Sequence, residues 1–494
     1  MGPDNVLSIP SVKPLLALLA SALAIIPIVY FRRSANRREA WTLAAGAVKL
    51  AVIASMLPPV LAGQTLECEL IEVLPGLPIL LRVDRLGLLF ALVAAPLWII
   101  TSLYSIGYMR ELREHSQTRY FAFFALSLSA TIGVAFAANL LTLYLFYEML
   151  SLATYPLVTH HQDAAARSSG RKYLVYLLGT SVAFVLPAMI YTYMVTGTLD
   201  FSHGTNLSGQ LSAGHGMILL LMFVFGFAKA GIMPFHSWLP GAMVAPTPVS
   251  ALLHAVAVVK VGVFSILRII TGLFGRDAIQ DWNLGTMVGW VAAVTVLIAS
   301  LIALSQDNLK RRLAFSTIGQ LSYIVLGAAM LSSRALTGSA MHIGMHAFGK
   351  ITLFFCAGAI FVATGKKNVS ELAGIGRQMP VTMTAFLIGS LSVIGLPPAG
   401  GFWSKLYLVW GTLEAEAYLM ACVFLVSSFL NAAYLLPIVF NAFFCNRKDS
   451  LFDDGIREAP RWCVVSLVIT AGASILLFFY PEPYFGLASM ATAD

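Results

Sequence analysis

Across 494 residues the chain is 59% hydrophobic and only 11% charged, with a mean hydropathy of +0.83. A soluble domain holds roughly 25% charged residues, so the composition excludes that class and defines an all-α polytopic membrane protein. The net charge of +8 sits in short loops between apolar runs, which fits orientation signalling better than nucleic-acid binding.

Apolar windows of about 20 residues fall near 13–31, 39–62, 83–106, 119–136, 138–158, 171–195, 215–232, 248–271, 285–304, 311–331, 336–363, 379–412, 416–443 and 461–481. That makes about 14 transmembrane helices. No cleavable signal is expected, because no basic segment precedes the first apolar run. Every second loop is basic: Arg32, Arg33, Arg37 and Arg38; Arg110, Arg113 and Arg119; Arg167, Arg171 and Lys172; Lys310, Arg311 and Arg312; Lys366, Lys367 and Arg377; Arg447, Lys448, Arg457 and Arg461. The alternation predicts that these loops lie in the cytoplasm of a prokaryotic-type inner membrane, with both termini on the non-cytoplasmic side. Cys68, Cys356, Cys422, Cys445 and Cys463 have no paired spacing, so no zinc or iron–sulfur site is expected. There is no nucleotide-binding glycine loop either, and no cofactor is expected.

The stretch FGFAKAGIMPFHSWLPGAMVAPTPVSALLHAVAVVK organises the chain. Gly231, Pro234 and Pro240 break the seventh window just after Lys229, and the next helix carries His254 and Lys260. Proline removes a helical donor, and a break within a bilayer survives only where protein or a water-filled cavity surrounds it. A second break, at Gly395, Pro397, Pro398, Gly400 and Gly401, precedes Lys405. Two interrupted windows, each with a lysine and five apart in order, predict two inverted five-helix repeats. The expected organisation is a three-helix segment (1–117), a first repeat (118–271), a second repeat (284–443), and a C-terminal loop with the last span (444–494).

Glu148 lies mid-window, and Lys229, Lys260, Lys350 and Lys405 lie within windows or at breaks. Five charges at mid-bilayer would cost roughly 12–18 kcal/mol unless paired or hydrated. Glu148 is the mid-span acid, and Lys229 is its expected partner. His342, His346 and Lys350 are spaced i, i+4, i+8 and share one helix face. Histidine changes charge near neutral pH, so this stripe suits proton relay. It lacks the acid of HExxH, and no matched histidine pair marks a haem, so metal and cofactor sites are not expected. His254 and Lys260 would lie about 120° apart on one continuous helix. Lys49 is expected to snorkel toward the interface. Asp84, Arg85 and Asp307 read as interfacial, and His160, His161 and Asp163 as a solvated loop.

These segments closely resemble the antiporter-like subunits shared by Mrp cation/proton antiporters, respiratory complex I (L, M and N types) and membrane-bound hydrogenases. The resemblance rests on Glu148, on AKAGIMPFHSWLPGAMVAPTPVSALLHA, on HIGMHAFGK and on GLPPAGGFWSK, and covers roughly residues 80–445. It implies proton translocation within a multisubunit membrane complex. The implied path comprises Glu148, Lys229, His254, Lys260, His342, His346, Lys350 and Lys405, with the helix breaks at Gly231, Pro234, Pro397 and Pro398. The subunit would have no catalytic chemistry of its own. Length and GFWSK suit a Mrp D-like subunit exchanging Na⁺ or another monovalent cation for protons. The alternative is a pump module driven by the redox partners of a complex I or hydrogenase.

Overall fold

Lipid offers no hydrogen-bond partners, so a long apolar run must close its backbone bonds within itself and becomes helical. The computed structural model describes residues 8–201, 207, 209–445 and 455–492. Arg447 and Lys448 of the last basic loop lie outside the described residues.

The chain opens with two nearly continuous helix pairs, α1 (Lys13–Ala22) with α2 (Ile25–Tyr30), and α3 (Ala35–Ala54) with α4 (Leu57–Leu61). Three long helices follow: α5 (Arg85–Glu111), α6 (Gln117–Ala135) and α7 (Leu140–Val158). Helix α8 (Ala164–Thr180) runs through a π-helical turn at Ser181–Val185 into α9 (Leu186–Thr196). Short pieces come next: α10 (Ala213–Gly226), α11 (Trp238–Gly241), α12 (Thr247–Ala255), α13 (Val258–Arg268) and α14 (Gly275–Asp281). The second half comprises α15 (Leu284–Ser305), α16 (Leu309–Ala329), α17 (Ser333–Thr364), α18 (Pro380–Ile394), α19 (Gly401–Glu414), α20 (Tyr418–Phe444), α21 (Arg461–Phe479) and α22 (Glu482–Thr492). Among the described residues, eleven helical stretches are long and apolar enough to cross a membrane, while α10 and α18 are apolar but shorter. The fourteen windows therefore do not become fourteen uninterrupted helices.

Polar residues set several of the starts. The side chains of Asp84, Asn139, Asp163, Asn308 and Ser332 accept the amides of Gly87, Thr142, Ala166, Arg311 and Ala335, satisfying donors that each helix leaves free.

Three findings correct the sequence expectations. The fold is not purely helical: β1 (Ser8–Pro10), β2 (Thr65–Leu74) and β3 (Leu77–Val83) form a small sheet in the order β1-β2-β3. Strand β1 runs parallel to β2, and β2 pairs antiparallel with β3, with Cys68 opposite Leu81. The hairpin turns at Gly76, whose φ is +76°. This segment falls between two apolar windows, so a search for spans passes over it.

The second correction concerns the eighth window. Helix α12 stops at Ala255 and α13 starts at Val258, so His254 and Lys260 do not share a continuous helix. The amides of Val256 and Ala257 both turn back to the Leu252 carbonyl. The third is Lys49, which does not snorkel. It is fully buried, with Nζ 2.5 Å from Ser21 Oγ and 3.2 Å from the Leu128 carbonyl, above the ring of Trp98.

Both proline-marked breaks are present. Gly231 has φ +72° and Gly395 φ +91°, and Met233–Pro234 and Pro397–Pro398 are cis. The freed carbonyls find side-chain donors, as burial requires. Thr180 Oγ1 donates to Gly226 O at 3.1 Å and Trp238 Nε1 to Ala228 O at 2.9 Å. At the second break Lys405 Nζ donates to Ile394 O at 3.1 Å.

Helix α17 is the centre, buried continuously from Ala335 to Ile360 and packed by α5, α12, α16, α18, α19, α21 and α22. Close approach depends on glycine at Gly262 of α13, where a Cβ would stand 2.1 Å from Ala230 N and 2.4 Å from the Lys229 carbonyl carbon. Rigid backbone cannot yield as a flexible side chain can. Gly262→Ala is therefore expected to destabilise the protein by about 1–3 kcal/mol, read as a lower thermal midpoint in detergent. An unchanged midpoint would show that α13 is not pressed against the first break.

Candidate functional site

An ammonium group removed from water needs acceptors on every side it can reach. Lys229, Lys260, Lys350 and Lys405 are all buried, as are His342 and His346. What surrounds them is largely neutral oxygen rather than carboxylate.

Lys229 lies in the short 3₁₀ turn at Ala228–Ala230, between the end of α10 and Gly231. Its Nζ donates to the Tyr147 carbonyl at 2.8 Å and to Ser151 Oγ at 2.6 Å, 3.1 Å from the centre of the Tyr147 ring. Its amide donates to Tyr147 Oη at 3.2 Å. The Glu148 carboxylate is not in this contact, and both its oxygens are buried without a hydrogen-bond partner. The expected closed Glu148–Lys229 pair is therefore not formed, because a backbone carbonyl and a hydroxyl of α7 take the ammonium instead.

The packing of Gly262 brings α13 against the backbone of Lys229, two residues beyond Lys260. From Lys260 the groups follow one another closely. Lys260 Nζ is 2.8 Å from His346 Nδ1 and 3.5 Å from the His342 carbonyl. The rings of His346 and His342 stack at 5.4 Å, and His342 Nδ1 is 2.8 Å from Ser404 Oγ, next to Lys405 in sequence. The His342 ring also stacks on Tyr323 at 5.9 Å, and Lys405 Nζ lies 4.5 Å from the centre of that same ring. Lys405 Nζ additionally donates to Ser428 Oγ at 3.1 Å. Lys350 branches off the stripe: its Nζ donates to Ser316 Oγ at 2.7 Å, and Tyr434 Oη donates to the same oxygen at 2.8 Å.

The structure thus brings Lys260, His342, His346 and Lys405 into one series and sets Lys350 on a spur and Lys229 behind α13. His254 belongs to α12, but its side chain lies outside the described residues. Lys49 is remote in contacts, held by α1 and α6. Sequence reasoning missed Tyr147, Ser151, Ser316, Tyr323, Ser404, Ser428 and Tyr434, since hydroxyls in apolar helices ordinarily bond their own preceding turn. It also missed Gln320, whose buried amide has neither oxygen nor nitrogen partnered by protein. His342 Nε2 and His346 Nε2 share that condition. Buried polar atoms of this kind are what internal water satisfies. Among the described residues, no three of His, Cys, Asp and Glu are grouped to hold a metal ion.

At the ends of the spans the charges do pair. Arg268 reaches down from α13 to Asp84 with both Nη atoms, one at 2.6 Å. Arg82 holds Asp200 at 2.8 and 3.1 Å and Glu67 at 2.5 Å. Burial by itself would raise the Asp84 carboxyl, but Arg268 overrides it and holds Asp84 below the usual carboxylate range. Asp307 accepts from Ser370 N and Oγ, at 2.9 and 2.8 Å.

Residues 137–431 match the family described as NADH:quinone oxidoreductase/Mrp antiporter, transmembrane. The chain belongs to that family and is an antiporter-like integral membrane subunit. It is 37% identical over 345 residues to the N subunit of the NADH-quinone oxidoreductase of Desulforudis audaxviator, covering 69% of this chain and 68% of that one. It is 32% identical to the A-type component of the Na(+)/H(+) antiporter of Alkalihalophilus pseudofirmus, covering 82% of this chain but 53% of the relative. The chain therefore spans about half the length of that antiporter component. Two solved structures share the fold. A chain of the archaeal membrane-bound sulfane sulfur reductase has a TM-score of 0.85 at 23% identity, covering 98% of this chain and 96% of its own. A chain of the Mrp complex from Dietzia sp. DQ12-45-1b has a TM-score of 0.84 at 21% identity, covering 98% and 97%.

The loop histidines also depart from expectation. His160 is fully buried, with its ring 4.8 Å from His115 and 5.6 Å from His161, and Glu114 Oε2 is 3.7 Å from both His160 and His161. Burial, reinforced by His115, His161 and Arg119, pushes the His160 imidazole down to about 3. An unfolded histidine titrates near 6.5. The unfolded chain thus takes up a proton that the folded state refuses, and stability falls as pH drops from about 6.5 toward 3. His160→Asn is expected to reduce the loss of thermal midpoint between pH 7.5 and pH 5. Equal losses in both proteins would contradict this.

Proposed function

We propose that this chain is a proton-translocating subunit of a multisubunit membrane complex. Protons would pass laterally along Glu148, Lys229, His254, Lys260, His346, His342 and Lys405, with Lys350 as a side store. The observation that carries this reading is the buried series from Lys260 through His346, His342 and Ser404 to Lys405. Each neighbour can accept or donate, and an isolated lysine at this depth costs about 2.5–3.5 kcal/mol. Pairing with Glu148 would hold a proton on Lys229, and separation would release it. The described geometry, with Lys229 on Tyr147 O and Ser151, corresponds to the separated arrangement in this scheme. The two breaks, each opening on a left-handed glycine beside a lysine, support two inverted repeats spanning 118–271 and 284–443. The basic loops support a cytoplasmic placement for their face of the inner membrane, with both termini opposite.

The finer assignment is to the D-like subunit of a Mrp-type antiporter exchanging Na⁺ or another monovalent cation for protons, on the strength of the GFWSK segment ending at Lys405. A second reading, as a pump module of a complex I or membrane-bound hydrogenase driven by redox partners, is favoured by the 37% identity to an N subunit. Sodium-dependent proton movement in vesicles carrying the whole complex supports the first, and movement driven only by a reduced donor supports the second.

In such vesicles Lys229→Ala and Glu148→Ala are each expected to lower coupled proton movement at least tenfold. Near-normal coupling in both would sink the proposal.

A further inference from the structure

A groove of about 830 Å³ opens between α2 and α6, lined by none of the residues of the proton series. Its wall is apolar, with Ile25, Phe123 and Leu126, and its rim carries Arg32, Arg33 and Arg119, while no acidic residue lines it. The nearest acid on α3, Glu39, is already engaged by Arg38 and by Arg110. Arg37 turns instead over the ring of Phe31, at 5.6 Å. Among the described residues, the guanidinium groups of Arg32 and Arg33 show no hydrogen bond or ion pair. Arg119 spends Nη2 on the His160 carbonyl at 2.8 Å and leaves Nε buried without a partner.

Like charges gathered on one rim repel one another, so the arrangement favours an anion between them. Guanidinium forks match phosphate oxygens in shape as well as charge. A free phosphate would use the rim and leave the apolar wall unexplained. Val29 in the same groove is 47% exposed and the adjoining Tyr30 80% exposed, so this flank faces the surrounding medium. Basic pockets of this kind between membrane helices suit acidic lipid headgroups. We propose that the groove between α2 and α6 binds an anionic phospholipid, its phosphate on Arg32, Arg33 and Arg119 and an acyl chain along Ile25, Phe123 and Leu126. The lipid would brace the N-terminal helix pair against α6.

Native mass spectrometry of the intact complex, exchanged into equal phosphatidylglycerol and phosphatidylcholine, tests this. Wild type is expected to retain phosphatidylglycerol at least fivefold over phosphatidylcholine. Arg32→Gln with Arg33→Gln should abolish the preference. Ala122→Trp, which fills the apolar wall, should lower retention of phosphatidylglycerol at least fivefold without touching the charges. Equal retention of both lipids by wild type, or unchanged preference in the double variant, would overturn the proposal. Displacement by inorganic phosphate with no effect of Ala122→Trp would make it a bare anion site, also against the proposal. A cross-link from Phe123→Cys to another subunit in place of bound lipid would assign the groove to a protein partner and overturn it as well.

Discussion

Ammonium groups sealed inside a helix bundle without a carboxylate in contact are the constraint around which the rest of this structure is arranged. Each lysine at such depth costs about 2.5–3.5 kcal/mol, and a closed ion pair would offset only part of it. The chain supplies other acceptors: the carbonyls of Tyr147 and Ile394, the hydroxyls of Ser151, Ser316 and Ser428, and the imidazole of His346. Neutral acceptors hold a cation less tightly than a carboxylate does. A proton on such a lysine is anchored, but it is not trapped.

The helix breaks follow from the same need. A continuous helix keeps its carbonyls for its own amides, and Ile394 O is free to receive Lys405 only because α18 ends there. Gly395 lets this happen: a Cβ would stand 2.6 Å from Lys405 Cδ, and its φ of +91° strongly favours glycine. At the first break the freed carbonyls go to Thr180 and Trp238, which keeps the Ala228–Ala230 turn in place while Lys229 reaches across to α7. Helix α17 then carries the two histidines through the middle, fully enclosed by its neighbours. The transport role is the proposal that this arrangement supports.

Much of this is legible from residue type alone. Proline and glycine announce the breaks beside Lys229 and before Lys405, and the i, i+4, i+8 spacing places His342, His346 and Lys350 on one face. The break at Val256–Ala257 is not legible. VAVV contains no helix breaker, so its interruption must come from packing against other elements rather than from local preference. Lys49 defeats the sequence reading because the long side chain of a single lysine in a span ordinarily stretches toward water, whereas here Ser21 and the Leu128 carbonyl intercept it. The hydroxyl partners and Gln320 are hidden for a related reason: their role depends on which helix faces them, and a single sequence does not disclose that. His160 reads as part of a solvated loop until Glu114 and His115, far away in sequence, close over it.

The central claim is that titratable groups in this bundle are joined by water across α16, α17 and α19. A density map of the assembled complex, sharp enough to place ordered solvent, tests it most directly. The account predicts water within hydrogen-bonding distance of His342 Nε2, His346 Nε2 and the Gln320 amide, continuous toward Lys405. A dry interior there, with those atoms against carbon and no solvent between Lys260 and Lys405, would contradict it.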